Sequence, residues 1–172
     1  KENLFNPREH GSDLPDLMQD CKKPIISAVN GHAITGGFEL ALNCDFIIAA
    51  ENAQFCDTHA RVGIHTGWGM TQLLQHTVGQ RRAKQISFTC QPIYAHTALA
   101  WGLVNEVLPG EHLLDRAKTI AAQIVQADPQ LLGVIKTLIE NRNRGPLAQA
   151  FDQERRGFRQ FIRDQINKFK PP

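Results

Sequence analysis

KPIISAVNGHAITGGFELALNCDFIIAA, the stretch from Lys23 to Ala50, decides the fold of this chain. An apolar run, Ile25 to Val29, ends in a turn at Asn30-Gly31. A short linker leads to Gly36-Gly37, and a small-residue amphipathic stretch follows, with Glu39 in its first turn. Phe46 to Ala50 is a second apolar run. By length and flanking glycines the stretch reads as strand, glycine-rich loop, short helix, strand. Backbone N–H groups at the start of a helix have no intrahelical partner, and the helix dipole reinforces them. Glycine there lets a ligand oxygen approach the main chain. Glu39 lies within one turn of that spot, so one loop can supply an oxyanion donor and an acid or base. The same pattern also describes a tight connection with Glu39 as an ordinary first-turn acid.

Upstream, Pro7, Gly11 and Pro15 break any long helix, and a short one is expected over Leu14 to Asp20, capped by Ser12 or Asp13. Downstream, Ala53 to Cys56 reads as an edge strand or extended loop, and Asp57 to Arg61 as a polar connection. Thr66-Gly67-Trp68-Gly69 is a second glycine-rich turn, opening a helix with Met70, Leu73, Leu74 and Val78 on one face and Gly79 at its end. A helix over Arg81 to Phe88, a short one over Tyr94 to Trp101 and a strand over Leu103 to Leu108 come next. Glu111 to Gln126 repeats apolar residues at helical spacing. Asp128-Pro129 caps another helix, running to about Asn143, and a last helix is expected from Leu147 to Lys168. Strands and short helices first, then helices, make an α/β fold with a helical tail.

The chain has 172 residues and a net charge of +2, too small to argue for nucleic acid or an anionic membrane. Its four cysteines, Cys21, Cys44, Cys56 and Cys90, show no metal-site spacing and no need of disulfides, so a reducing compartment is expected. No apolar run reaches transmembrane length, and KENLFNPREHG is not a signal peptide. The expectation is a soluble intracellular protein; cytoplasm, mitochondrial matrix and peroxisome are not distinguished.

Four blocks, KPIISAVNGHAITGGFELALNCDFIIAAENAQF, VGIHTGWGMTQLL, VGQRRAKQISFT and AWGLVNEVLP, together resemble the crotonase, or enoyl-CoA hydratase/isomerase, superfamily in order and spacing. The resemblance implies a ββα-spiral core, partial over residues 1–108, with a helical region over 109–172 that mediates assembly into a trimer or hexamer. It implies an acyl-CoA thioester as substrate, no metal, and coenzyme A only as part of that substrate. Backbone N–H groups would hold the thioester carbonyl and the enolate formed from it. Gly36 falls on the family's second oxyanion donor, and Glu39 on the first of two acids that position water and shuttle a proton. Gly67 matches a glycine whose amide faces the catalytic water.

Two departures stand out. The second acid belongs twenty residues after Glu39, where this chain has His59. An imidazole can still accept and donate a proton near neutral pH, and Asp57 is placed to orient it or replace it. The resemblance further implies an additional amino-terminal part, carrying the first oxyanion donor and most of the adenine pocket. Without that donor the stretch is expected to be a poor catalyst, since removing one costs about 10²–10³ in kcat. Loss of the first strands would also leave sheet edge uncovered.

The other singled-out residues read plainly: His32 and His65 as structural or solvent-facing, Trp68 and Trp101 as packing residues, Cys56 as a small buried hydrophobe. Arg163, Lys168 and Lys170 fall where the family places basic residues near CoA phosphates, although a solvated helix face describes them equally. The expected function is addition of water to a 2-enoyl-CoA. The alternatives are another reaction on the same fold (isomerisation, retro-aldol cleavage or thioester hydrolysis) or a non-catalytic acyl-CoA-binding or assembly subunit. Acyl chain length and branching stay open.

Overall fold

The computed structural model describes residues 14–141, 155–160 and 162–164. Helix α1 (Leu14–Asp20) leads into strand β1 (Ile26–Val29), strand β2 (His32–Ile34), helix α2 (Gly36–Leu42) and strand β3 (Phe46–Ala50). Strand β4 (Gln54–Cys56), helices α3 (His59–Val62), α4 (Met70–Val78) and α5 (Gln80–Thr89), and strand β5 (Ile93–Tyr94) come next. Helix α6 (Ala95–Ala100), strand β6 (Glu106–Leu108), and helices α7 (Gly110–Ile124) and α8 (Pro129–Asn141) complete the named elements. Residues 155–160 and 162–164 are helical as well.

Among the described residues the strands form two three-stranded sheets, ordered β1-β3-β6 and β2-β4-β5. β3 is the middle of the first sheet and runs parallel to both neighbours, from Ile26↔Phe46 to Val29↔Ala49 on one side and Ile48↔Glu106 to Ala50↔Leu108 on the other. A parallel strand covered on both faces needs a continuous apolar run rather than an alternating one, and Phe46 to Ala50 is such a run. Side chains alternate between faces along a strand. Ile47 and Ala49 accordingly join the main core with Phe38, Phe55, Met70 and Leu74, whereas Ile48 and Ala50 meet Leu113 of α7, backed by Ala117 and Ile120.

In the second sheet β2 and β4 are parallel, Ile34 standing beside Cys56, and the Thr35 N–H donates to the Cys56 carbonyl at 2.9 Å. The ladder thus continues to the carboxyl ends of both strands. The Thr35-Gly36 turn from β2 into α2 therefore lies next to the Asp57-Thr58-His59 segment that leaves β4. Crevices at the carboxyl ends of neighbouring parallel strands are where α/β sheets place ligands. On the far side, Asp45 accepts from the Ile25 N–H at 2.6 Å and from Lys136 Nζ at 2.8 Å, which ties α8 to the entry of β1.

Several expectations change in detail. The linker before Gly36 contains a strand, β2, whose three residues are too few to show periodicity. Ala53 to Cys56 is central in its sheet rather than an edge. The polar segment after it holds helix α3, and the strand expected over Leu103 to Leu108 is only Glu106–Leu108. Leu114 of α7 and Val125 just past its end are exposed, so the buried stripe is narrower than the apolar pattern. The Asp128 cap is present, its carboxylate accepting the Leu131 N–H at 2.8 Å, and Gly79 closes α4 at φ +83°. Ser12, Asp13, Lys168, Lys170 and most of the expected final helix lie outside the described residues.

Candidate active site

Besides thiols, Glu39, Asp57 and His59 are the buried polar or charged side chains among the described residues, at 3 %, 2 % and 6 % exposure. Burying such groups is costly unless they are paired and hydrogen-bonded. These three are gathered at one place. Strongly desolvated, mutually interacting titratable groups beside a cleft are the usual mark of an active site.

Glu39 stands in the first turn of α2, whose Phe38 and Ala41 enter the core and fix the helix rotation. Its Oε1 accepts the Trp68 N–H at 3.0 Å and the Met70 N–H at 3.2 Å. Met70 is the first residue of α4, so the carboxylate sits at that helix's positive end. Asn43 locks the two parts together, its Nδ2 donating to the carbonyls of Glu39 and Trp68, both at 2.8 Å. Oε2 is left facing the Nε2 of His59, 3.6 Å away. That separation is slightly longer than a direct hydrogen bond and within ion-pair range.

His59 opens α3, and Asp57 holds it twice: one carboxylate oxygen accepts the His59 backbone N–H at 3.1 Å and lies 2.7 Å from ring Nδ1. An ionised carboxylate only accepts, so the Nδ1 proton is directed at Asp57 and Nε2 is directed at Glu39. Burial pushes the Asp57 carboxyl up, but the hydrogen bonds from His59 and the Ser87 hydroxyl outweigh it and hold the group below the usual carboxylate range. The result is a buried line, Asp57–His59–Glu39, ending on backbone amides at the mouth of α4.

Gly36 is the first residue of α2, and a Cβ placed on it would meet only Trp68, at 4.0 Å. The residue before it, Thr35, has φ +51° and ψ −112°. Gly67 is buried beneath Phe158; a Cβ there would come within 2.6 Å of the ring. The turn at Gly67 therefore requires glycine for space, in addition to any role of its amide.

The structure brings Gly36, Glu39 and His59 to one place, and sets Gly67 in the turn that leads to Trp68 and Met70. His32 and His65 are exposed, and Cys56 is buried with its thiol pushed up chiefly by that burial. Trp101 packs against Arg82, whose guanidinium is 5.0 Å from the ring centroid. Sequence reading left open whether Asp57 orients His59 or replaces it; the hydrogen-bond pattern is that of an orienting group. It missed the Thr35–Thr58 hydroxyl contact and the amides of Trp68 and Met70, which depend on tertiary placement. A β-branched residue directly before a Gly-Gly pair was the available signal for Thr35.

The chain belongs to the enoyl-CoA hydratase/isomerase family, whose model matches residues 3–169. It is 43% identical over 149 residues to the short-chain-enoyl-CoA hydratase of Clostridium acetobutylicum, covering 84% of this chain and 56% of that protein. With the crotonyl-CoA hydratase of Syntrophomonas wolfei it shares 47% identity over 115 residues, 67% of this chain and 44% of that protein. The crystal structure of an enoyl-CoA hydratase from Mycobacterium avium superposes with a TM-score of 0.79 at 40% identity, covering 86% of this chain and 66% of that one. The α/β architecture is thus the crotonase fold. The chain spans about half the length of the curated relatives it matches.

Proposed function

We propose that this chain carries the acid/base side of an enoyl-CoA hydratase, adding water across the 2,3 double bond of a 2-enoyl-CoA thioester. The observation that carries the reading is the buried Asp57–His59–Glu39 line beside the Gly36 turn. Glu39, held by two amides, accepts a proton from water as the water oxygen bonds to C3. The π electrons of the double bond move toward the thioester oxygen, and the enolate charge develops against the Gly36 N–H. A proton is returned to C2 from the Glu39–His59 pair, so one water is added and the protein ends as it began. Asp57 keeps the imidazole turned for that exchange. The thioester brings coenzyme A as part of the substrate, and the proposal invokes no metal or separate cofactor.

An acid/base pair of this kind also suits isomerisation, which moves one proton between carbons, because His59 stands where a second carboxylate is expected. Product analysis separates the two. The full-length protein is offered crotonyl-CoA and, in a second reaction, a 3-enoyl-CoA. Formation of 3-hydroxybutyryl-CoA from the first is the expected result. Conversion of the second alone would replace hydration by isomerisation. A purely scaffolding role is disfavoured by the cost of burying three ionisable groups with no chemistry to perform. Assembly into a trimer or hexamer is part of the proposal. The exposed Leu131, Val134, Ile135 and Ile139 of α8 support it by offering an apolar face to cover.

A further inference from the structure

Thr35 occupies a backbone conformation that a threonine should avoid. Its φ of +51° and ψ of −112° match the first central position of a type II′ turn, which glycine dominates. A β-branched residue at positive φ is an outlier that persists only where its surroundings over-determine it. Three contacts do so here. The Thr35 N–H donates to the Cys56 carbonyl at 2.9 Å, its carbonyl accepts the Glu39 N–H at 2.9 Å, and its hydroxyl is hydrogen-bonded to the hydroxyl of Thr58. Two of these are backbone contacts that any residue could make. The third is a side-chain contact from the segment that also carries Asp57 and His59.

We propose that Thr58 is a positioning residue: its hydroxyl holds the Thr35 turn, and through it fixes the Gly36 amide and the Glu39 backbone relative to the Asp57–His59 segment. The inference rests on the functional reading above insofar as Gly36 is taken to face the thioester oxygen. It carries a specific consequence. The pin is needed because position 35 is not glycine, so replacing Thr35 by glycine removes the need for Thr58. A residue that merely filled space at 58 would not show this dependence.

The experiment uses the full-length protein with Thr58→Val, Thr58→Ser, Thr35→Gly and the double variant Thr35→Gly/Thr58→Val. Two quantities are read: kcat and KM for crotonyl-CoA, and the infrared carbonyl stretch of bound butyryl-CoA, which is saturated and cannot be hydrated. Thr58→Val is expected to lower kcat by about tenfold or more with little change in KM, and to weaken the shift of the carbonyl stretch caused by binding. Thr58→Ser keeps the hydroxyl and should behave as wild type. In the Thr35→Gly background, Thr58→Val should have little effect on either reading. If Thr58→Val does not fold, the double variant still decides, since the proposal requires it to fold and bind with a wild-type carbonyl shift. A Thr58→Val protein with an unaltered carbonyl shift, or a double variant as impaired as Thr58→Val, overturns the inference. A wild type that does not hydrate crotonyl-CoA, yet shows the predicted pattern of carbonyl shifts, removes the hydratase reading and leaves this inference standing.

Discussion

Asp57 never needs to touch substrate to matter, because it decides which ring nitrogen of His59 faces Glu39. Asp57→Asn keeps the size and removes the charge. The expected result is a fall in kcat of about 10²-fold with KM little changed, within the range of general acid–base contributions. His59→Ala should cost a similar amount; unchanged turnover in steady-state assays would make the histidine a bystander. Asp57 also leaves a signature in stability. Its folded value lies below its unfolded one, so the group contributes stability above the unfolded carboxylate value of about 3.9 and loses it as pH falls through the folded value. Denaturant unfolding of wild type and Asp57→Asn between about pH 6 and pH 2 should therefore show a gap that narrows on the acid side. A gap constant across that range would contradict the assignment. At this scale Gly36 and Glu39 were legible, because their relation is local and set by one helical turn. The burial of His59 was not. DTHAR is polar in sequence, and only the pairing of β4 with β2 and the packing of α3 on α5 bury its histidine.

Among the elements, the turn from Thr66 to Gly69 carries the most load for its length. It delivers the Trp68 amide to Glu39, leads into α4, whose Met70 amide is the second donor, and accepts the ring of Phe158 where any Cβ on Gly67 would stand. Gly67→Ala should destabilise by about 1–3 kcal/mol, the usual cost of overpacking, measured by thermal or denaturant unfolding. In a double-mutant cycle with Phe158→Ala the two substitutions should couple, the alanine costing less once the ring is gone; strict additivity would mean that the contact is not the source of the cost. The longer elements were legible because helical spacing over nine or more residues is a strong signal, as in α4, α5 and α7. The short strands β2 and β5 were not, whereas β4 and β6, of three residues each, fell within longer stretches that were read as extended. β2 and β5 are strands only because a non-local partner pairs with them, and nothing in three residues announces that partner.

For the whole molecule, the architecture derives from one buried parallel strand. β3 separates two apolar layers, and the connections on either side of it bring α2, α3 and α4 together at one end. The crotonase fold was recognisable because four blocks at fixed spacing are far more specific than a lone glycine pair. The same blocks say little about which acyl group is taken, since a pocket wall depends on side chains that the motifs do not specify. Hydration itself is the central claim, and one assay addresses it. Loss of the conjugated enoyl-thioester absorbance of crotonyl-CoA should be catalysed by the full-length protein and should fall by about 10²–10⁴-fold in Glu39→Gln. A Glu39→Gln protein that hydrates crotonyl-CoA as fast as wild type, or a wild type that does not hydrate it at all, would contradict the account.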